Sequence, residues 1–127
     1  MAIKFKILAR KNPQDMAAPD KYYAAAVGNG ETNMEALAEM IAYQSTLTDT
    51  DCYAVLRSLE HNIINELKQG RIVKLGSLGN FQISISATGQ ENEAAVTAND
   101  IVKSRILFRP GKKLRQLLTN LSYQKAG

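Results

Sequence analysis

The chain opens with a two-residue alternation. Ile3, Phe5 and Ile7 fall on one face and Lys4 and Lys6 on the other, which predicts a strand over residues 2–10. Pro13 and Pro19 make residues 10–20 a loop, long for a tight hairpin. Tyr23, Ala25 and Val27 alternate against Tyr22, Ala24 and Ala26, so a second strand is expected over residues 21–27. Gly28-Asn29-Gly30 is a turn signal, and beyond it the period lengthens. Met34, Leu37, Ala38 and Ile41 recur at helical spacing and predict a helix over residues 32–45, opened by a Thr32/Glu35 capping box. Cys52, Val55, Leu56, Leu59, Ile63 and Leu67 mark a second helix over residues 48–69. Thr48 caps it, and Asp49 and Asp51 suit the positive end of its dipole. The short connection makes the two an αα-hairpin.

Glycines punctuate the chain after the second helix. Gly70 can take the left-handed conformation that closes a helix, and Gly76 and Gly79 permit a kink within a strand pair. Phe81, Ile83 and Ile85 then alternate with Gln82, Ser84 and Ser86. The polar run TGQENE, residues 88–93, reads as the tip of a β excursion. Residues 103–109 form the return strand, with Ser104, Ile106 and Phe108 on one face and Lys103, Arg105, Leu107 and Arg109 on the other. Pro110 stops the strand and suits the first turn of a helix. Leu114, Leu117, Leu118 and Leu121 give that helix a buried stripe, and residues 122–127 read as a frayed tail. The fold class is α+β. One helical hairpin and a thin sheet bury little apolar area, which favours a core shared with a second chain.

At 127 residues and 45% apolar content the chain is globular, one domain or one with a small appendage. Its net charge of +4 is unevenly spread. Residues 1–27 carry +3, residues 28–69 carry −5 and residues 70–127 carry +6. This spread implies an acidic helical layer and a basic C-terminal half, and the basic half is either a solvated surface or a face for an anionic partner. Cys52 is the single cysteine, so no intrachain disulfide forms, and its place on an apolar stripe makes it a small core residue. His61 is the single histidine, and the pair cannot make a zinc site of the usual spacing. No apolar run reaches the roughly 20 residues that span a bilayer, and the first residues lack a signal-peptide core. An intracellular protein is expected.

No catalytic motif, phosphate loop or dinucleotide glycine pattern occurs. Glu60-His61 has no second histidine four residues on, and Glu91 and Glu93 at a polar turn read as solvated surface. Neither an enzyme nor a cofactor is expected. The basic residues of the last third remain as candidates. A Lys and Arg face on a strand, beside a helix start holding Lys112, Lys113 and Arg115, can neutralise several phosphates. Amides at helix N-termini, near Thr32–Asn33 and near Pro110, add anion sites.

Two stretches carry a resemblance. GRIVKLGSLGNF, residues 70–81, resembles the segment after the second helix in the HU and integration host factor family of bacterial histone-like proteins. FRPGKKLR, residues 108–115, is similar to that family's signature where the arm returns to the last helix. The likeness covers residues 31–121. Residues 1–30 look like an N-terminal β extension of a divergent subgroup, with the HU-like domain over residues 31–127. The resemblance implies a homodimer with helices beneath a β saddle, binding double-stranded DNA at the cytoplasmic nucleoid. Two β arms would reach round the minor groove and bend it. By position, Lys74 and Asn80 lie at the saddle, Lys103 and Arg105 on the return strand, and Arg109, Lys112, Lys113 and Arg115 at the phosphate-facing end. Family arms are basic and carry a proline wedge. Here no Lys or Arg falls between Lys74 and Lys103, no proline between Pro19 and Pro110, and Ser77 replaces a family glycine. The competing class is a structural or protein-interaction module that keeps the saddle with weak or no DNA binding.

Overall fold

The structure, a computed structural model, describes residues 1–127. In chain order its elements are β1 (Ile3–Arg10), β2 (Lys21–Val27), α1 (Met34–Tyr43), α2 (Asp49–Lys68), β3 (Val73–Lys74), β4 (Gly79–Ala87), β5 (Ile101–Pro110), α3 (Lys112–Leu118) and β6 (Tyr123–Lys125). Mixed helices and two small sheets make an α+β fold of two compact units. One unit comprises Met1–Thr32 with Leu117–Gly127, the other Asn33–Gln116.

The first unit is a sheet of order β2-β1-β6. β1 and β2 pair antiparallel from Lys4 opposite Val27 to Arg10 opposite Lys21. Their connection turns on Asn12 and Asp15, whose side-chain oxygens accept the amides of Gln14 and Ala17. The chain's last residues are a strand and not the expected frayed tail. β6 runs parallel to β1, with Ile3 opposite Tyr123. The free edge of β1 carries backbone donors and acceptors that need partners, and the end of the chain supplies them. The Ile3 amide donates to the Ser122 carbonyl at 2.9 Å, and the Ala126 amide donates to the Phe5 carbonyl at 2.8 Å.

The second unit is a helical hairpin with a sheet of order β3-β4-β5. Asn33, not Thr32, caps α1, because its Oδ1 accepts the Ala36 amide at 2.9 Å. Thr48 caps α2 as expected, accepting the Asp51 amide at 3.1 Å. At the other end of α2, the Gly70 amide donates to the Leu67 carbonyl and the Arg71 amide to the Glu66 carbonyl. This double closure requires Gly70 at φ +78°. An Arg71–Glu66 ion pair of 2.8 Å lies across it.

β4 and β5 pair antiparallel from Gly79 opposite Pro110 to Ala87 opposite Ile101, with an irregularity at Ser86/Ala87. The return strand therefore starts two residues before the expected Lys103. Residues 88–100 between the strands hold two short 3-10 turns, Glu93–Ala95 and Ala98–Asp100, a longer tip than residues 88–93. The stripe expected on the last helix does not form. α3 stops at Leu118, Leu117 and Leu118 are exposed, and Leu121 lies past a turn in which the Asn120 amide donates to the Leu117 carbonyl. That turn sends the chain toward β6, which cuts the helix short.

The core is thin. Ala38, Cys52 and Leu67 are its buried apolar side chains. Leu56, Leu59 and Ile63 of α2 instead line an open groove of about 300 Å³ with Phe81 and Ile106 of the sheet, beside the buried Leu67.

Candidate nucleic-acid interface

Cross-strand partners in an antiparallel ladder point to the same side, and neighbours along a strand alternate. The register therefore sorts the β3-β4-β5 sheet into two faces. Val73, Phe81, Phe108, Ile83 and Ile106 share the apolar one, where the Phe81 and Phe108 rings lie 4.9 Å apart. The other face pairs Lys74 with Asn80, Asn80 with Arg109, Gln82 with Leu107, Ser84 with Arg105, and Ser86 with Lys103. Five of the eight residues singled out in the sequence, Lys74, Asn80, Lys103, Arg105 and Arg109, thus stand on one side of one sheet.

The face holds no carboxylate. The structure's one ion pair is Arg71–Glu66, so none of Lys74, Lys103, Arg105 and Arg109 is neutralised within the chain. Arg105 is positioned by a neutral partner, its Nη2 donating to Ser86 Oγ at 2.7 Å, which leaves its charge available. Sequence reasoning passed over Gln82, Ser84 and Ser86 as site residues. They are short polar groups between the cations, able to donate to phosphate oxygens. Their alternation with Phe81, Ile83 and Ile85 was the available signal.

Two glycines set the end of this face. A Cβ on Gly79 would lie 2.6 Å from the Arg109 carbonyl oxygen and 2.8 Å from the Phe108 ring, and its φ is +143°. At Gly111 a Cβ would collide with the Ser77 backbone. The Gly111 amide donates to the Leu78 carbonyl at 3.0 Å, tying the start of α3 to the β3–β4 turn. Lys112, Lys113 and Arg115 are exposed on α3, just past the end of β5 that carries Arg109. They have no acidic partner, and the sheet register does not include them.

The helix ends add less than expected. Asn33 satisfies the α1 end from within, and Gly111, not Pro110, provides the carbonyl that starts α3, accepting the Arg115 amide. α3 spans seven residues, too short for a strong dipole. At the tip, Asp100 accepts from the Thr97 amide at 2.8 Å and from Gln90 Nε2 at 2.7 Å. These bonds, the backbone one foremost, hold its carboxyl below the usual range. The tip also carries Glu91 and Glu93 and no basic residue, which sets it apart from the cationic ladder.

Two sequence comparisons point to HU and integration host factor relatives, and one solved structure shares the fold. A family model described as an HU domain fused to a wHTH, Ig or glycine-rich motif, HU-HIG, matches residues 1–125. Integration host factor subunit alpha of Actinobacillus succinogenes is 32% identical over 81 residues, which is 62% of this chain and 83% of that protein. A solved structure from Bacteroides vulgatus, provisionally described as a bacterial DNA-binding protein, superposes with a TM-score of 0.66 at 13% identity. That superposition takes in 98% of this chain and 49% of the neighbour, so the chain spans about half the neighbour's length.

Proposed function

The chain belongs to the HU-HIG family of HU domains, and on that premise we propose that it is a non-enzymatic, histone-like protein that binds duplex DNA with low sequence specificity. The observation that carries the reading is the unneutralised row of Lys74, Arg109, Arg105 and Lys103 on one sheet face. A ladder of cations among short polar groups matches a backbone of evenly spaced phosphates. The cations stand on a sheet face and no major-groove helix motif occurs in the sequence, so affinity is read as resting on charge. Lys112, Lys113 and Arg115 extend the phosphate contacts from α3. Double-stranded DNA is the partner, the nucleoid in the cytoplasm is the site of action, and the function calls for no metal or cofactor.

The working unit is a homodimer. Leu37, Met40, Ile41, Leu59, Ile106 and Phe108 are 39–63% exposed in the single chain. A second copy covering them completes the core that one chain lacks.

A second reading, an interaction module of the same fold with little DNA affinity, draws on the acidic, proline-free tip. Binding to several unrelated duplexes separates the two. On the DNA-binding reading, wild-type protein binds all of them with similar affinity, and neutralising Arg105 and Arg109 together weakens all about equally. Loss on one sequence alone would refute the phosphate mechanism, and absence of binding at low salt would favour the interaction module.

A further inference from the structure

The N-terminal sheet has two chemically opposite faces. The β1–β2 register puts Lys4, Lys6, Leu8 and Arg10 on one side with Val27, Ala25, Tyr23 and Lys21. Ile3, Phe5, Ile7, Tyr22 and Ala24 stand on the other, where β6 adds Tyr123 and the single cation Lys125. On the first side Lys4, Lys6, Arg10 and Lys21 are exposed, and none is paired with a carboxylate. That face contains no acidic residue at all. At its Arg10 end is a cavity of about 460 Å³ lined by Arg10, Lys11, Lys21 and Tyr23 with Pro13 and Pro19. The Arg10 guanidinium lies 5.9 Å from the centre of the Tyr23 ring, which orients it without neutralising it.

We propose that this face is a second phosphate-binding surface for duplex DNA, carried by the N-terminal sheet and additional to the polar face of β3-β4-β5. The inference rests on the reading of the chain as a DNA-binding protein. From Lys4 to Arg10 the strand rises about 20 Å. Over that length a duplex presents on the order of a dozen negative charges, ample for a row of four cations. Charge complementarity selects the occupant. A bilayer surface would need large, exposed apolar side chains beside the cations to insert. On this face Leu8, Ala25 and Val27 are half-buried and only Tyr23 is exposed, while the exposed Ile3, Ile7 and Tyr22 stand on the other side. A single-stranded ligand would need successive rings to stack on, and the cationic face offers Tyr23 alone.

The test is the salt dependence of binding by the full-length protein to a random duplex long enough to engage both surfaces. Four proteins are compared: wild type, Lys4→Gln with Lys6→Gln, Lys112→Gln with Lys113→Gln, and the combination. The sheet pair should flatten the log–log salt slope by about 0.9 per lost phosphate contact. Its effect should add to that of the α3 pair, as expected for independent contacts. Lys4→Arg with Lys6→Arg should restore the wild-type slope, which a merely structural role for the lysines would not produce. A wild type that binds while the Lys4/Lys6 variant keeps its full slope overturns this inference and leaves the DNA-binding reading standing. A wild type that binds no duplex overturns both. Loss of binding to phosphatidylserine-containing vesicles by the Lys4/Lys6 variant, with duplex binding unchanged, assigns the face to membranes and overturns the proposal.

Discussion

Replacing Ile106 by aspartate should dissociate the proposed homodimer. Ile106 sits mid-ladder opposite Ile83, on the sheet face that carries Phe81 and Phe108. It is 63% exposed in the single chain, beside Leu59 in the apolar groove. Complete burial of such a side chain is worth about 1.5–3 kcal/mol, so the isolated chain leaves about 1–2 kcal/mol of it unrealised. A two-fold interface uses each residue twice, giving about 2–4 kcal/mol per dimer. That corresponds to a rise of about 30- to 700-fold in the dissociation constant. An aspartate there must also be desolvated, so the figure is a lower bound. Sedimentation equilibrium over a concentration series reads the constant directly. Ile106→Ala, which removes bulk without adding charge, keeps the test usable if the aspartate variant unfolds. A wild type found only as a 14.0 kDa species at micromolar concentration would refute the dimer. Dissociation constants unchanged in both variants would show that this face is not the interface.

Other consequences are equally open to measurement. Gly70→Ala should cost about 1 kcal/mol, since φ is +78° but nothing crowds a Cβ. Gly79→Ala should cost more in thermal melts, because strain there adds to a collision with the Arg109 carbonyl and the Phe108 ring; equal costs would contradict the geometry. Asp100 has a depressed folded pKa, so its contribution to tip order is complete above the unfolded value of about 3.9 and is lost as pH falls through the lower folded value. The Thr97 amide resonance should report that titration, and a midpoint at or above about 3.9 would contradict it. Deleting residues 89–93 and closing the turn should change neither affinity nor end-to-end fluorescence transfer on a short duplex by much, because an acidic tip without proline is repelled by phosphates and has no wedge. Loss of a large bend would overturn that view.

Local signals were legible where one force decided the outcome. The period change at Gly28–Gly30, the Thr48 cap and the closing role of Gly70 were all readable, because capping and left-handed closure depend on neighbours in sequence. Alternation gave the two faces of β4 and β5, and with them four of the proposed site residues, Asn80, Lys103, Arg105 and Arg109, on one side. Asn33 displaced Thr32 in line with the stronger N-cap preference of asparagine over threonine, which the Thr32/Glu35 capping-box spacing had masked in the sequence. The last helix was misjudged for a different reason. Leu114, Leu117, Leu118 and Leu121 keep helical spacing, but β1 has an open edge more than a hundred residues earlier, and filling it with β6 ends the helix at Leu118. No local pattern carries that long-range demand. The polar row Gln82, Ser84 and Ser86 was visible as alternation, but its place among the cations required the register.

Salt titration of wild-type binding to a random-sequence duplex, repeated with Arg105→Gln and Arg109→Gln, tests the phosphate-binding face most directly. The wild type should lose affinity linearly in log–log form, with a slope of about 0.9 per phosphate contact, and the double variant should flatten it by about 1.8 per protomer. A wild-type slope near zero, or a double variant indistinguishable from wild type on every duplex, would contradict binding through this basic surface.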